Sequence, residues 1–176
     1  MESAGTRQGQ RVTVRVRPYN EAVDSGTVGR LIADTFRSDN LSHLDAATQS
    51  EMLGPFRHAR SKDPVHQQAI REAILSEIVL VAERQGRIIG VLRGRPTRLG
   101  SLFVLGEKQR SGVGRALVNR FEEEVRRKHG PVLHVAATLN AVPFYKAMGY
   151  KRSTGVRSMR VFDGDGFEYQ PMRKVL

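Results

Sequence analysis

Two glycines one residue apart, Gly112 and Gly114, stand in the heptapeptide Gln109-Arg110-Ser111-Gly112-Val113-Gly114-Arg115. An apolar run, Leu102-Phe103-Val104-Leu105, precedes it, and a long stretch with helical patterning follows. Glycines let the backbone take positive φ and come close to a ligand, and the first turn of a helix leaves several N–H groups without intrahelical partners. Such a turn attracts anions, phosphate above all. Because residues 131–137 again read as a strand, the unit is strand, tight turn, helix, strand, and a right-handed parallel βαβ crossover is the default.

Several phosphate chemistries could use such a turn, and the spacing excludes two. A dinucleotide-binding fingerprint needs glycine or alanine three residues after the second glycine, where this chain has Leu117. A Walker loop needs a lysine and a hydroxyl after its last glycine, where this chain has Arg115-Ala116. The helix itself is well specified. Val113, Leu117, Phe121 and Val125 recur at spacing four, with Ala116 and Val118 widening the stripe. Glu122, Glu123 and Glu124 are each followed four residues on by Arg126, Arg127 and Lys128, a solvated ion-paired face. Gly130-Pro131 closes it.

The preceding chain alternates strand and helix signals. Residues 12–18 alternate apolar and polar up to Pro18, predicting a first strand. A helix capped by Asp24 or Ser25 carries Val28, Leu31, Ile32 and Phe36 and breaks down at Ser38-Asp39-Asn40. Within residues 41–62 a short helix is expected at 46–53 before Gly54-Pro55. Asp63-Pro64 opens another, to about Ser76. The runs 78–82, 88–92 and 101–105, joined by turns at Gln85-Gly86 and 94–100, predict an antiparallel meander. Beyond the crossover, Asn140 is placed to cap a short helix over 141–148 ended by Gly149. Two last strands, from 150 or 151 to about 162 and from 167 to 174, are joined by Asp163-Gly164-Asp165-Gly166. This sequence lacks the further acids of a calcium loop, and the five histidines show no ligand spacing, so no metal is expected.

Length and composition bound the rest. The 176 residues suffice for one domain, expected over 11–176 behind a flexible lead-in at 1–10 with no secretory core. No apolar run is long enough to span a membrane. Cysteine is absent, which excludes disulfides and a cysteine acyl-enzyme and favours a cytoplasmic location. The net charge of +11 suggests a polyanionic partner. Without a nucleic-acid motif or an aromatic-interleaved basic cluster, a phosphorylated cofactor ranks above nucleic acid.

The order strand, Gln109-x-x-Gly112-x-Gly114, helix, strand, then Asn140-Ala141-Val142-Pro143-Phe144-Tyr145 with Gly149-Tyr150 behind it, resembles the GNAT superfamily of acetyl-CoA-dependent N-acetyltransferases. The motifs agree from Ile78 to the C-terminus, and the closing Gln170-Pro171-Met172-Arg173-Lys174 looks like the last strand of many members. The resemblance implies an α/β (α+β) fold: a mixed, mostly antiparallel sheet of six to seven strands, helices on both faces, and splayed parallel fourth and fifth strands. It implies that acetyl-CoA is the co-substrate. Its pyrophosphate would lie on Gln109, Arg110, Ser111, Gly112, Val113, Gly114 and Arg115, and its pantetheine arm along the strand at Phe103 and Val104 like an added strand. Asn140 matches a cofactor-contacting asparagine and Tyr145 a tyrosine that protonates the departing thiolate.

A general base is harder to place, because many members carry a carboxylate on or beside the fourth strand and residues 99–104 contain none. His134 on the fifth strand, Glu107 and Glu83 are the candidates, His134 foremost. The expected reaction is direct attack of a primary amine, of a small molecule or of a protein N-terminus or lysine, in a ternary complex. A catalytically weak acyl-CoA-binding sensor of the same fold is the alternative reading. The partners are then an amine acceptor, which +11 disposes to be neutral or anionic rather than a polycation, and at most a second copy in a homodimer.

Overall fold

The computed structural model describes residues 13–128 and 131–176. Residues 1–12, His129 and Gly130, including the expected lead-in and the glycine expected to close the long helix, lie outside the described residues.

Strand β1 (Arg15–Pro18) leads into helix α1 (Glu21–Asp39), followed by α2 (Ala46–Leu53), a 3-10 turn at Gly54–His58, and α3 (Pro64–Ile74). The meander is β2 (Ile78–Arg84), β3 (Arg87–Arg95) and β4 (Arg98–Val104). Helix α4 (Val113–Arg127) connects to β5 (Val132–Thr138), and α5 (Val142–Ala147) precedes β6 (Lys151–Arg152), β7 (Arg157–Val161) and β8 (Gly164–Val175). The sheet runs β1-β2-β3-β4-β5-β8-β6, with β7 hydrogen-bonded to β8. Every pairing is antiparallel except β4 with β5. The eighth strand is the two-residue β6, split from β7 within the stretch expected as one. No helix among the described residues is long and apolar enough to cross a membrane.

The sheet separates two cores. On one side α4 and α5 bury Leu117, Phe121, Val125 and Tyr145 against Leu92, Leu99 and Val135. On the other, α1 to α3 bury Ile32, Phe36, Phe56 and Ile74 against Val81 and Val91. The two faces follow from alternation along the strands. Gly94 shows how closely α4 lies on the sheet, since a Cβ there would come within 2.5 Å of the Phe121 ring.

Four local expectations are corrected. Helix α1 starts earlier than expected, with Asn20 as its cap accepting from the Ala22 N–H. Asp24 is instead drawn into a clamp, its carboxylate taking both Arg17 amino groups at 2.7 and 3.0 Å and the Asn20 N–H at 2.8 Å. Glu122 is not on the solvated face of α4. It is 3% exposed and holds Lys174 of β8 at 2.7 Å and the Tyr150 hydroxyl at 3.1 Å, so it fastens the helix to the far half of the sheet. Asn140 does not cap α5, which has no side-chain cap, because a 3-10 turn over Leu139–Ala141 intervenes. The last hairpin turns earlier than expected, through Phe162, with Gly164 already in β8.

The clamp at β1 sets how the fold responds to acid. Arg17 beside it holds the Asp24 carboxyl below the usual carboxylate range, against the opposing effect of burial. A depressed folded-state pKa contributes stability that is complete above the unfolded value of ~3.9 and is lost as pH falls through the folded value. Asp24→Asn should therefore lower the urea midpoint at neutral pH. The loss should lie toward the lower end of the roughly 3–5 kcal/mol for breaking a buried pair, because Arg17 is 25% exposed and keeps Glu83 at 3.0 Å. The gap between variant and parent should close as pH is taken below about 4.

Candidate active site

The one parallel pairing is short. β4 and β5 match only at Arg98 with His134 and Leu99 with Val135. Beyond that point β4 stays in register with β3 as far as Val104, and β5 with β8 as far as Thr138. The two strands therefore part at Gly100 and Ala136, leaving a V in the middle of the sheet whose facing edges have no strand partner among the described residues. Backbone groups along an interior edge need partners from somewhere. A cleft of about 200 Å³ follows the V, lined by Gly100 to Phe103 on one arm and Val135, Ala136 and Thr138 on the other. It opens to both cores, with Tyr145 from the α4–α5 side and Phe36 and Phe56 from the α1–α3 side.

From the end of β4 the chain enters the glycine-rich turn. Arg110 and Gly112 both have positive φ, +59° and +85°, and Gly112 is the N-cap of α4 with no side-chain cap on the helix. A non-glycine residue held in the left-handed region is a strained choice that the surroundings must impose. A Cβ on Gly112 would meet nothing within 4 Å, whereas one on Gly114 would lie 3.3 Å from the Phe144 ring. Gly112 thus fronts open space and Gly114 packs. The first turn of α4 contains no acid, contrary to what the helix dipole favours. Exposed Arg110 and Arg115 flank it, and neither forms an ion pair with any described residue. Uncapped N–H groups and two cations without an ion partner among the described residues thus stand together at the head of α4.

Comparison with known proteins assigns the chain to a family. The family model described as "Acetyltransferase (GNAT) domain" matches residues 43–176, more than half of the chain. The chain belongs to the GNAT family. Among solved structures, a GCN5-related N-acetyltransferase from Rhodopseudomonas palustris superposes with a TM-score of 0.71 at 21% identity, covering 93% of this chain and 96% of that one. The PaiA N-acetyltransferase from Thermoplasma acidophilum, solved with coenzyme A, gives 0.67 at 16% identity, covering 93% and 99%. YncA from Salmonella typhimurium, solved with acetyl-CoA, gives 0.62 at 20% identity, covering 93% and 94%. No curated protein matches the chain.

On this GNAT framework the candidate residues separate into three groups. Phe103, Val104 and the turn from Gln109 to Arg115 are contiguous, running from one arm of the V to the helix N-terminus. Within that turn Gln109 is engaged structurally, since its amide donates to the Asp39 carboxylate at 2.6 Å and to the Val104 carbonyl at 3.2 Å, and Val113 is buried against the sheet. Tyr145 lines the cleft and is 5% exposed, and its hydroxyl has no hydrogen-bond partner among the described residues. Burial pushes its phenol well above the ordinary value, so it stays protonated. Asn140 lies at the tip of the other arm, accepting from the Thr138 hydroxyl at 2.6 Å and donating to the Asp39 carbonyl at 3.3 Å. His134 is not brought to the cleft. It is exposed at the paired end of β5, opposite Arg98 and Arg173, on the same face as Ala136 and Thr138 but behind them.

Three residues that sequence patterning did not single out stand here. A second hollow of about 360 Å³ shares Asn40, Thr138 and Phe167 with the cleft and carries Asp39, His43 and Glu168. The Glu168 carboxylate forms no hydrogen bond or ion pair among the described residues. Asp39 comes from the end of α1 and Glu168 from the last hairpin, so no local spacing links them. The third, Arg93, sits on β3 in the wall of the cleft. Its position inside an apolar strand, between Leu92 and Gly94, was the available signal.

Because the Tyr145 hydroxyl bonds to nothing among the described residues, Tyr145→Phe should fold as well as the parent. Its unfolding free energy should stay within about 0.5 kcal/mol, well short of the roughly 1–3 kcal/mol lost when a buried partner is orphaned. Urea denaturation followed by circular dichroism tests this, and a larger loss would show that the hydroxyl is structural.

Proposed function

We propose that this protein transfers an acetyl group from acetyl-CoA to the nitrogen of a primary amine by direct attack in a ternary complex. The observation that carries the reading is the V between β4 and β5, open to both cores, with the chain of β4 running on through the glycine turn to the uncapped N-terminus of α4. The residues suit the co-substrate: Gly112 leaves open space before the uncapped helix, Arg110 and Arg115 lack counter-ions, and the unpartnered edge of β4 can hydrogen-bond an extended amide chain as a strand would. Acetyl-CoA supplies the activated thioester.

As the N–C bond forms, the C–S bond breaks, sulfur leaves with the electron pair and the nitrogen gives up a proton. Charge accumulates first on the carbonyl oxygen, where a backbone N–H of the open edge can receive it, and then on sulfur. Tyr145 acts at sulfur as the acid. Its raised phenol donates a hydrogen bond to the developing thiolate, whose ordinary pKa near ~8.5 makes complete protonation unnecessary. An alkylammonium acceptor with a pKa near ~10.4 must lose a proton before attack. With His134 outside both hollows, the free Glu168 carboxylate, with His43 beside the same mouth, is the better-placed acceptor for it, directly or through water.

The lack of an acid on β4 favours a second reading, a protein that binds acyl-CoA as a sensor without turnover. Two measurements decide. At about 100-fold excess over its dissociation constant, acetyl-CoA should stabilise the protein by roughly 2.7 kcal/mol. Gly112→Glu, which adds a carboxylate at the anion site and costs roughly 1–2 kcal/mol of left-handed strain, should abolish that stabilisation. Free thiol release with a panel of primary amines then separates enzyme from sensor, because the chain has no cysteine to contribute background. Tyr145→Phe should lower kcat by roughly 100-fold or less, at the low end for acid–base assistance, with acetyl-CoA stabilisation intact. Absence of any stabilisation by acetyl-CoA would sink both readings.

A further inference from the structure

Arg93 is half-buried and lines the cleft on the α1–α3 side. Its Nε donates to the Ser101 hydroxyl at 2.9 Å, its Nη1 donates to the Ala73 carbonyl at the end of α3, and its guanidinium lies 6.0 Å from the centre of the Phe56 ring. No carboxylate among the described residues pairs with it, and Nη2 has no hydrogen-bond partner among them. The contrast with Arg17 is informative, because that guanidinium, also largely covered, takes both Asp24 and Glu83. A cation withdrawn from water without a counter-charge is costly, and desolvation here pulls the guanidinium below its ordinary value. Capping the α3 C-terminus accounts for one N–H only. It leaves the charge uncompensated and the outer edge of the fork empty, the geometry that receives a carboxylate.

Position and surroundings narrow the ligand. Ser101 lies two residues beyond Leu99, the last paired position of β4, so Arg93 stands beside the vertex of the V where the acetyl group must arrive. The remaining wall is apolar and aromatic, with Phe36, Phe56, Phe103, Val161 and Phe167. A volume of about 200 Å³ is below the range that takes drug-sized ligands. The carboxylates Asp39 and Glu168 stand only at the outer mouth. We infer that the acceptor is a free apolar amino acid, its carboxylate held by Arg93, its side chain among the phenylalanines, and its amino nitrogen turned to the vertex. This rests on the acetyltransferase reading above. The α-nitrogen bonds to the acetyl carbon as the C–S bond breaks, sulfur keeps the electron pair, and the proton shed by nitrogen leaves through the mouth.

The test compares three ligands that differ only in the group on the α-carbon, a carboxylate, an amide or a hydrogen: L-phenylalanine, L-phenylalaninamide and phenethylamine, with leucine and its analogues as a second set. Thiol release should favour the amino acid over the amide and the amine by about 100-fold or more in kcat/KM, because a site built for a polar group rejects ligands that leave it unpaired. Arg93→Met should erase this preference and Arg93→Lys should restore part of it, with acetyl-CoA stabilisation unchanged in both. A second readout needs no turnover. With coenzyme A present, N-acetyl-L-phenylalanine should raise the melting temperature of the parent protein, and its amide should not. Equal turnover of acid, amide and amine overturns the inference while leaving the acetyltransferase reading standing. Carboxylate-dependent stabilisation without thiol release from any amine supports the Arg93 site and removes the acetyltransferase. If acid and amide stabilise the parent equally, or neither does, the Arg93 site is refuted without recourse to a variant that must fold.

Discussion

A sheet can part between two of its interior strands only if the backbone groups along the gap find partners elsewhere, and everything else in this molecule is arranged around that requirement. β4 and β5 are hydrogen-bonded to each other at two positions and are then held apart by their other neighbours, β3 and β8, which stay in register to the ends of both strands. Separate cores on the two faces keep the arms from collapsing together, each arm being packed on both sides. The parallel crossover through α4 brings the uncapped helix N-terminus to the end of β4. The uncapped helix start and the open edge of β4 are thereby brought to successive stretches of one chain.

Charge is distributed in a way that the total of +11 conceals. Most basic residues are solvated or paired along α4 and β1. Arg110 and Arg115 stand exposed at the turn without an ion partner among the described residues, and Arg93 is half-buried in the cleft wall without a carboxylate among them. The carboxylates Asp39 and Glu168 collect at the mouth instead. An overall excess of positive charge therefore describes solubility and encounter, whereas the site is graded from acidic outside to cationic within.

Much of this was legible in the chain, for identifiable reasons. Strong periodicity gave α4 its buried stripe, and the cap-then-proline order at Asp63-Pro64 gave α3 its observed start, where the Asp63 carboxylate accepts from Val65 N–H. The glycine spacing pointed to the tight turn at the head of α4, where Gly112 takes positive φ as the N-cap. What escaped was tertiary. Glu122 has the spacing of a surface ion pair, and only the approach of Lys174 from β8 turns it into a buried one. Asp24 has the composition of a helix cap and is taken by Arg17 across the β1 turn. Asp39, Glu168 and Arg93 come from three distant segments and share no spacing, so the placing of the two carboxylates at one hollow and of Arg93 in the adjoining cleft is visible only in three dimensions. His134 illustrates the converse, a chemically suitable residue that lies two positions behind the cleft on the right face of its strand.

Asp39 joins these parts mechanically. Its carboxylate holds Gln109 at the head of the glycine turn, and its carbonyl holds Asn140 at the tip of β5, so the end of α1 spans the mouth of the V from arm to arm. A displacement of that helix end changes the lengths of both bonds at once. The glycine turn and the tip of β5 consequently share one anchor. Any coupling of affinities that two ligands made through it would be reciprocal, each changing the other's binding by the same factor.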